Sequence, residues 1–154
     1  MERILIKNGI LCTMAEDEDY RKGDILIEDG KIKAIADSLD DDGAKIIDAS
    51  SYYVMPGLVD AHTHIGLFDF NASASVDDAN EMTDPVTAGV DARYGVNPKA
   101  REFEVCYRNG ITTLLITPGS GNVFCGQAFA AKTYGDNIFD MTLKAPCAVK
   151  LALG

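Results

Sequence analysis

The sequence predicts an α/β protein, with a β-rich domain over residues 1–55 and parallel β/α units over residues 56–154. Three observations carry this expectation. The first 55 residues read as short strands separated by Asn-Gly and Asp-Gly turns. A run from Leu58 to Gly66 is apolar on both faces before it turns polar, as in a parallel strand covered on both sides. Strand, loop, helix and strand then follow in order, which implies parallel pairing through a right-handed crossover.

In chain order, Ile4-Leu5-Ile6-Lys7, Asn8-Gly9 and Ile10-Leu11-Cys12-Thr13 fit a hairpin, because Asn-Gly tolerates the positive φ of a type I′ turn. Asp24 to Glu28, Asp29-Gly30 and Lys31 to Ile35 repeat the device. The acidic runs Glu16-Asp17-Glu18-Asp19 and Asp40-Asp41-Asp42 are read as solvated turns, with no calcium-loop pattern around the second. After Val54-Met55-Pro56-Gly57 comes the both-face-apolar strand. A polar stretch from about Asp69 to Val96 has the length of an active-site covering or a disordered segment. Asn97 can cap a helix with Pro98 at its first position. Ala100, Phe103, Cys106 and Tyr107 share a face of that helix, and Gly110 supplies its left-handed stop. Ile111 to Thr117 is a β-branched strand ending in Pro118-Gly119-Ser120-Gly121-Asn122, and a third apolar strand is expected around Cys147 to Leu153.

Composition narrows the function. The 154 residues carry 14 basic and 24 acidic side chains, a net charge of −10, and no basic stripe. Nucleic acid and anionic membrane surfaces both draw on clustered Lys and Arg, so neither is an expected partner. No apolar run approaches the ~18–20 residues that span a bilayer, and the first ten residues lack the apolar core of a signal peptide. The cysteines Cys12, Cys106, Cys125 and Cys147 form no CxxC pair. They are expected to be free thiols of a cytoplasmic protein, neither a disulfide framework nor a thiolate zinc site.

Chemistry concentrates at His62 and His64, the two histidines of the sequence. Side chains at i and i+2 of a strand leave the same face, with Cα atoms roughly 6.5–7 Å apart. Two imidazoles so placed can close on one divalent cation. Asp60 shares that face and could accept a hydrogen bond from a ligand imidazole or coordinate directly. The competing possibility is a pair of ordinary strand histidines, each bonded to a backbone carbonyl.

The block Val54-Met55-Pro56-Gly57-Leu58-Val59-Asp60-Ala61-His62-Thr63-His64 resembles the signature of the metal-dependent amidohydrolase superfamily. Asn80 to Thr87, and Gly110 to Thr113 through Pro118 to Asn122, are similar to its imidazolonepropionase-related branch. The resemblance implies a leading β-sandwich segment and the first units of a (β/α)₈ TIM barrel. It implies hydrolysis of a C–N bond in a small-molecule substrate, a cyclic or linear amide, with a divalent metal, zinc, held by His62 and His64. A whole barrel takes about 250 residues, and the chain after residue 57 has room for about three units. The further histidines and the late general base of the family have no counterpart here. The chain is therefore expected to be the N-terminal part of a hydrolase and inactive alone. The alternative is a non-catalytic assembly subunit derived from the same fold. An open sheet edge would favour self-association in either case.

Further polar and sulfur residues admit two readings each. Lys150 could be a bridging carboxylated lysine or a core-edge lysine. Arg93 could clamp a substrate carboxylate or face solvent. Gly119 to Asn122 has the outline of a small anion nest. Cys125 and Cys147 are expected to be small buried hydrophobes rather than nucleophiles.

Overall fold

A computed structural model describes residues 2–15, 20–68 and 77–153, and the chain divides into two compact units, Met1–Pro56 and Gly57–Gly154. The run Glu16-Asp17-Glu18-Asp19 and the start of the polar stretch lie outside the described residues.

The first unit is a five-stranded sheet of β1 (Arg3–Leu11), β2 (Arg21–Glu28), β3 (Lys31–Ala36), β4 (Lys45–Asp48) and β5 (Tyr53–Val54). β2 and β3 form the expected hairpin, with Asp29 at φ 48 and Gly30 at φ 76 supplying the two left-handed residues of its turn. Asn8-Gly9, by contrast, is not a turn. β1 runs straight through it, and Asn8, at φ 64, forms a bulge where the register with β2 shifts between Ile6 and Gly9. The physical reason is a tertiary partner: the Asn8 backbone N–H donates to the buried Asp24 carboxylate at 2.7 Å. Asp24 also accepts from the Leu39 N–H at 2.9 Å, tying the segment after β3 to the same point.

Asp41 corrects another expectation. Its side chain is 5% exposed and paired with Arg3, so it is an anchor rather than a solvated turn residue, whereas Asp40 stays in water and meets Lys7 at 3.1 Å. The register aligns Ile6, Ile25, Ile35 and Ile47 in one row and Ile4, Ile27 and Ile32 in the next, so one face of this sheet is isoleucine-rich. Ile32, Ile35 and Ile47 are exposed on it, and the described strands of this unit form one sheet, as one layer of a composite sandwich would.

The second unit is a four-stranded sheet in the order β6 (Leu58–Thr63), β7 (Ile111–Ile116), β8 (Phe124–Lys132), β9 (Thr142–Leu151). β6 and β7 are parallel and joined through helix α1 (Arg101–Arg108), the expected β/α unit. The helix begins three residues later than its sequence signals suggest. Asn97 caps a preceding turn through the Lys99 N–H, and the N-cap position falls on Ala100, with no side-chain cap. Ala100, Phe103 and Cys106 face the core, and Gly110 stops the helix at φ 83.

The third strand arrives differently from expectation. β8 was not anticipated. It runs antiparallel to β7, and β9 is antiparallel to β8, so β9 returns to the direction of β7 across an intervening strand. The one-turn helix α2 (Ile138–Met141) precedes β9. The core comprises Phe103, Leu114, Ile116, Phe129 and Met141 with neighbouring alanines and Leu67. β6 is not covered on both faces: it pairs only with β7 among the described strands, and Leu58 and Val59 are exposed. No helix among the described residues is long and apolar enough to cross a membrane.

Leu114 is fully buried in this core. Leu114→Ala is expected to destabilise the chain by about 2–5 kcal/mol, from lost apolar transfer and a residual cavity. Urea denaturation of the two chains measures it; an unchanged midpoint would contradict the placement.

Candidate active site

The site begins where β6 and β7 end. Their pairing continues past the strands through the Thr117 N–H, which donates to the Thr63 carbonyl at 2.9 Å. That contact brings the Thr117 carbonyl across to His64, whose Nδ1 lies 2.7 Å from it. A carbonyl only accepts, so His64 donates from Nδ1, which leaves Nε2 as the acceptor nitrogen of the neutral ring. A backbone partner of this kind orients a metal-ligating imidazole. It is also half of what an ordinary strand histidine would show.

His62 stands beside it, with ring centroids 5.2 Å apart and the planes nearly perpendicular. The two rings leave the same side of the strand, and Phe68 closes edge-on against His64 at 5.7 Å. His62 Nε2 lies 3.3 Å from the Lys150 Nζ on β9, an ammonium hydrogen donated to a bare ring nitrogen. The Nε2 of neutral His64 is thus left with its lone pair, while the Nε2 of His62 is engaged by Lys150. By donor chemistry the two imidazoles suit a borderline divalent cation as two of its ligands. Among the described residues, no group of three or more His, Cys, Asp or Glu side chains is placed to hold a metal.

Asp60 does not bond either imidazole. Its carboxylate accepts from the His62 backbone N–H at 3.1 Å, a local turn-like contact that straightens the end of β6. Burial, then the charges of Asp60 and Glu102, push the Cys106 thiol up, which keeps that buried sulfur protonated and inert. Cys125 is buried as expected and donates to the Asn122 carbonyl, whereas Cys147 is exposed.

The stretch before α1 lies along the strand ends. Gly119 and Gly121 sit against the Asn80 side chain, where a Cβ would collide, and the Gly119 N–H donates to the Ala79 carbonyl at 2.8 Å. Asn122 reaches across with its amide, donating to the Glu81 and Asp84 carbonyls at 2.7 and 2.8 Å. The turn expected to be an anion nest is therefore a clasp for residues 79–87. Arg93 is likewise engaged: its guanidinium meets the Asp91 carboxylate at 2.5 and 2.9 Å and stacks over Phe139 at 5.3 Å, so no fork is left for a substrate carboxylate. Leu67 just past β6, Pro118 just past β7, Asn80, Asp91 and Cys125 share a cavity of about 200 Å³.

Sequence reasoning missed Thr117, because a backbone carbonyl carries no residue-type signal. It missed the Lys150 contact because the register of β9 depends on a strand it did not anticipate. Asn122 was visible as a polar residue ending a Gly-rich turn, but its partners were not.

Three relatives match parts of the chain in sequence. The chain is 45% identical over 79 residues to a D-hydantoinase from Geobacillus stearothermophilus, covering 51% of this chain and 16% of that one. It is 41% identical over 87 residues to a dihydropyrimidinase from Dictyostelium discoideum, covering 56% and 16%. The amidohydrolase tasK of Hapsidospora irregularis is 31% identical, with 83% and 15% covered. In structure, an amidohydrolase from Thermotoga maritima MSB8 superposes with a TM-score of 0.89 at 36% identity, over 98% of this chain and 39% of that one. No family model matches. The chain belongs to the metal-dependent amidohydrolase superfamily and spans about a sixth of the curated relatives it matches. That superfamily generally uses a divalent metal.

Two outcomes are expected. In nitrogen-15 spectra, neutral His64 carries its proton on Nδ1; a proton on Nε2 would contradict the Thr117 contact. The Arg93 guanidinium, through its hydrogen bond, holds the Asp91 carboxyl below the usual carboxylate range, partly opposed by burial and aided by the Arg93 backbone N–H. A depressed folded pKa stabilises the fold above the unfolded value of about 3.9 and loses that contribution as pH falls through the lower folded value. The stability gap between the parent and Asp91→Asn, followed by urea denaturation from pH 7 to 3, is expected to narrow below about pH 4. A constant gap would contradict the pairing.

Proposed function

We propose that the protein carrying this chain hydrolyses the C–N bond of a cyclic or linear amide, with His62 and His64 as ligands of a divalent metal, zinc. The observation that carries this reading is the pair of adjacent imidazoles at the carboxyl end of a parallel strand, one oriented by the Thr117 carbonyl. The names of the relatives support it, since D-hydantoinase and dihydropyrimidinase are enzymes of this superfamily.

A divalent cation held there would supply Lewis acidity toward a carbonyl oxygen and lower the pKa of water. The residues of this chain supply position. The Thr117 carbonyl fixes the His64 ring and its tautomer, the Asp60 carboxylate holds the His62 backbone N–H, and Lys150 must leave the His62 Nε2 before that nitrogen binds a cation. The clasp of Asn122 on residues 81 and 84 keeps the polar stretch against the strand ends. Two imidazoles fall short of the three protein ligands of a catalytic zinc, so the 154 residues alone are inactive, and the remaining ligands and general base come from beyond them.

The test is hydrolysis of hydantoin and dihydropyrimidine rings by the protein that carries this chain. Chelation is expected to abolish turnover and added zinc to restore it. His62→Ala and His64→Ala are each expected to lower kcat/KM at least about a thousandfold, roughly 4 kcal/mol of transition-state stabilisation. Full activity in either variant would remove the proposal. For the isolated chain, the unpaired backbone edge of β6 beside exposed Leu58 and Val59 favours self-association. Light scattering is expected to show concentration-dependent oligomers; a dispersed monomer at high concentration would contradict it.

A further inference from the structure

The first unit gathers sulfur just past the ends of β1 and β5. Cys12, just past β1, and Met14 place Sγ and Sδ 3.9 Å apart. Met14 is held in the left-handed region at φ 61, which turns its side chain back toward Cys12. Met55, just past β5, shares with these two residues a cavity of about 450 Å³, whose other walls are Ile10, Tyr20 and Tyr53. The two tyrosine rings meet edge to face at 5.9 Å.

We propose that Cys12, Met14 and Met55 form a binding site for a soft monovalent cation, Cu(I), through one thiolate and two thioethers. Three points favour that ligand. Among the described residues, the donors that line the cavity are sulfur, with no carboxylate or imidazole, which selects soft cations over zinc, calcium or magnesium. Two sulfurs 3.9 Å apart, each about 2.3 Å from a shared ion, subtend about 116° at it, close to the 120° of a three-coordinate centre. The charges also balance: the Cys12 S–H gives its proton to solvent, the S–Cu bond forms, and a thiolate with a monovalent cation makes a neutral centre suited to an apolar, aromatic wall. Met14 and Met55 are 64% and 48% exposed, so the ion has a way in. The site lies wholly in the first unit and stands independently of the proposed hydrolase activity.

The experiment is an anaerobic titration of the 154-residue chain with Cu(I) delivered from its bicinchoninate complex. One ion per chain is expected, with release of one proton. Cys12→Ser is expected to weaken binding at least about a hundredfold, and Met14→Leu and Met55→Leu each about tenfold, a decade being 1.4 kcal/mol. Cys147→Ser, which removes the exposed thiol elsewhere, should leave binding unchanged. X-ray absorption of the loaded parent chain, which needs no variant to fold, should show three sulfur neighbours. Binding that survives Cys12→Ser, follows Cys147, ignores both methionines, or shows nitrogen and oxygen neighbours would overturn the site.

Discussion

Parallel pairing of β6 with β7 is the constraint on which the candidate site depends. Only in that arrangement do both strands end on the same side, so that the histidines of one and the Thr117 carbonyl of the other meet. Helix α1 enforces the pairing by spanning the two strands and burying Phe103 and Cys106 against the fully buried Leu114 and Ile116. The antiparallel strands β8 and β9 then extend the sheet and bring Lys150 back to His62. Packing, topology and the imidazole geometry are thus consequences of one crossover.

How much of this was legible in the sequence varies with the range of the forces involved. Local chemistry was readable: the Asp29-Gly30 turn, the helix face of Ala100, Phe103 and Cys106, and the Gly110 stop each rest on a few neighbouring residues. Long-range competition was not. Asn8-Gly9 has every local reason to turn, yet Asp24, sixteen residues away, captures the Asn8 N–H and converts the turn into a bulge. Arg93 reads as free until Asp91 and Phe139 take its guanidinium, and Asp41 reads as solvated until Arg3 covers it. β8, with glycine and alanine at four of its nine positions, lacks the β-branched run that marks a strand.

The two units use polar groups for different ends. In the first, the buried Asp24 carboxylate is structural: it gathers N–H groups from β1 and from the segment after β3, and fixes the register that lines up the isoleucines. In the second, polar side chains cluster where the sheet ends. Asn80, Asn122 and Thr87 bind the polar stretch to the start of β8, and Asp91 with Arg93 locks its far end.

The most direct test of the central claim is anomalous diffraction at the zinc edge from crystals of the protein that carries this chain, grown with zinc. The account predicts a single strong peak within bonding distance of a ring nitrogen of both His62 and His64, with His64 Nδ1 still on the Thr117 carbonyl. A peak bound elsewhere, with the two imidazoles left on protein partners alone, would contradict it.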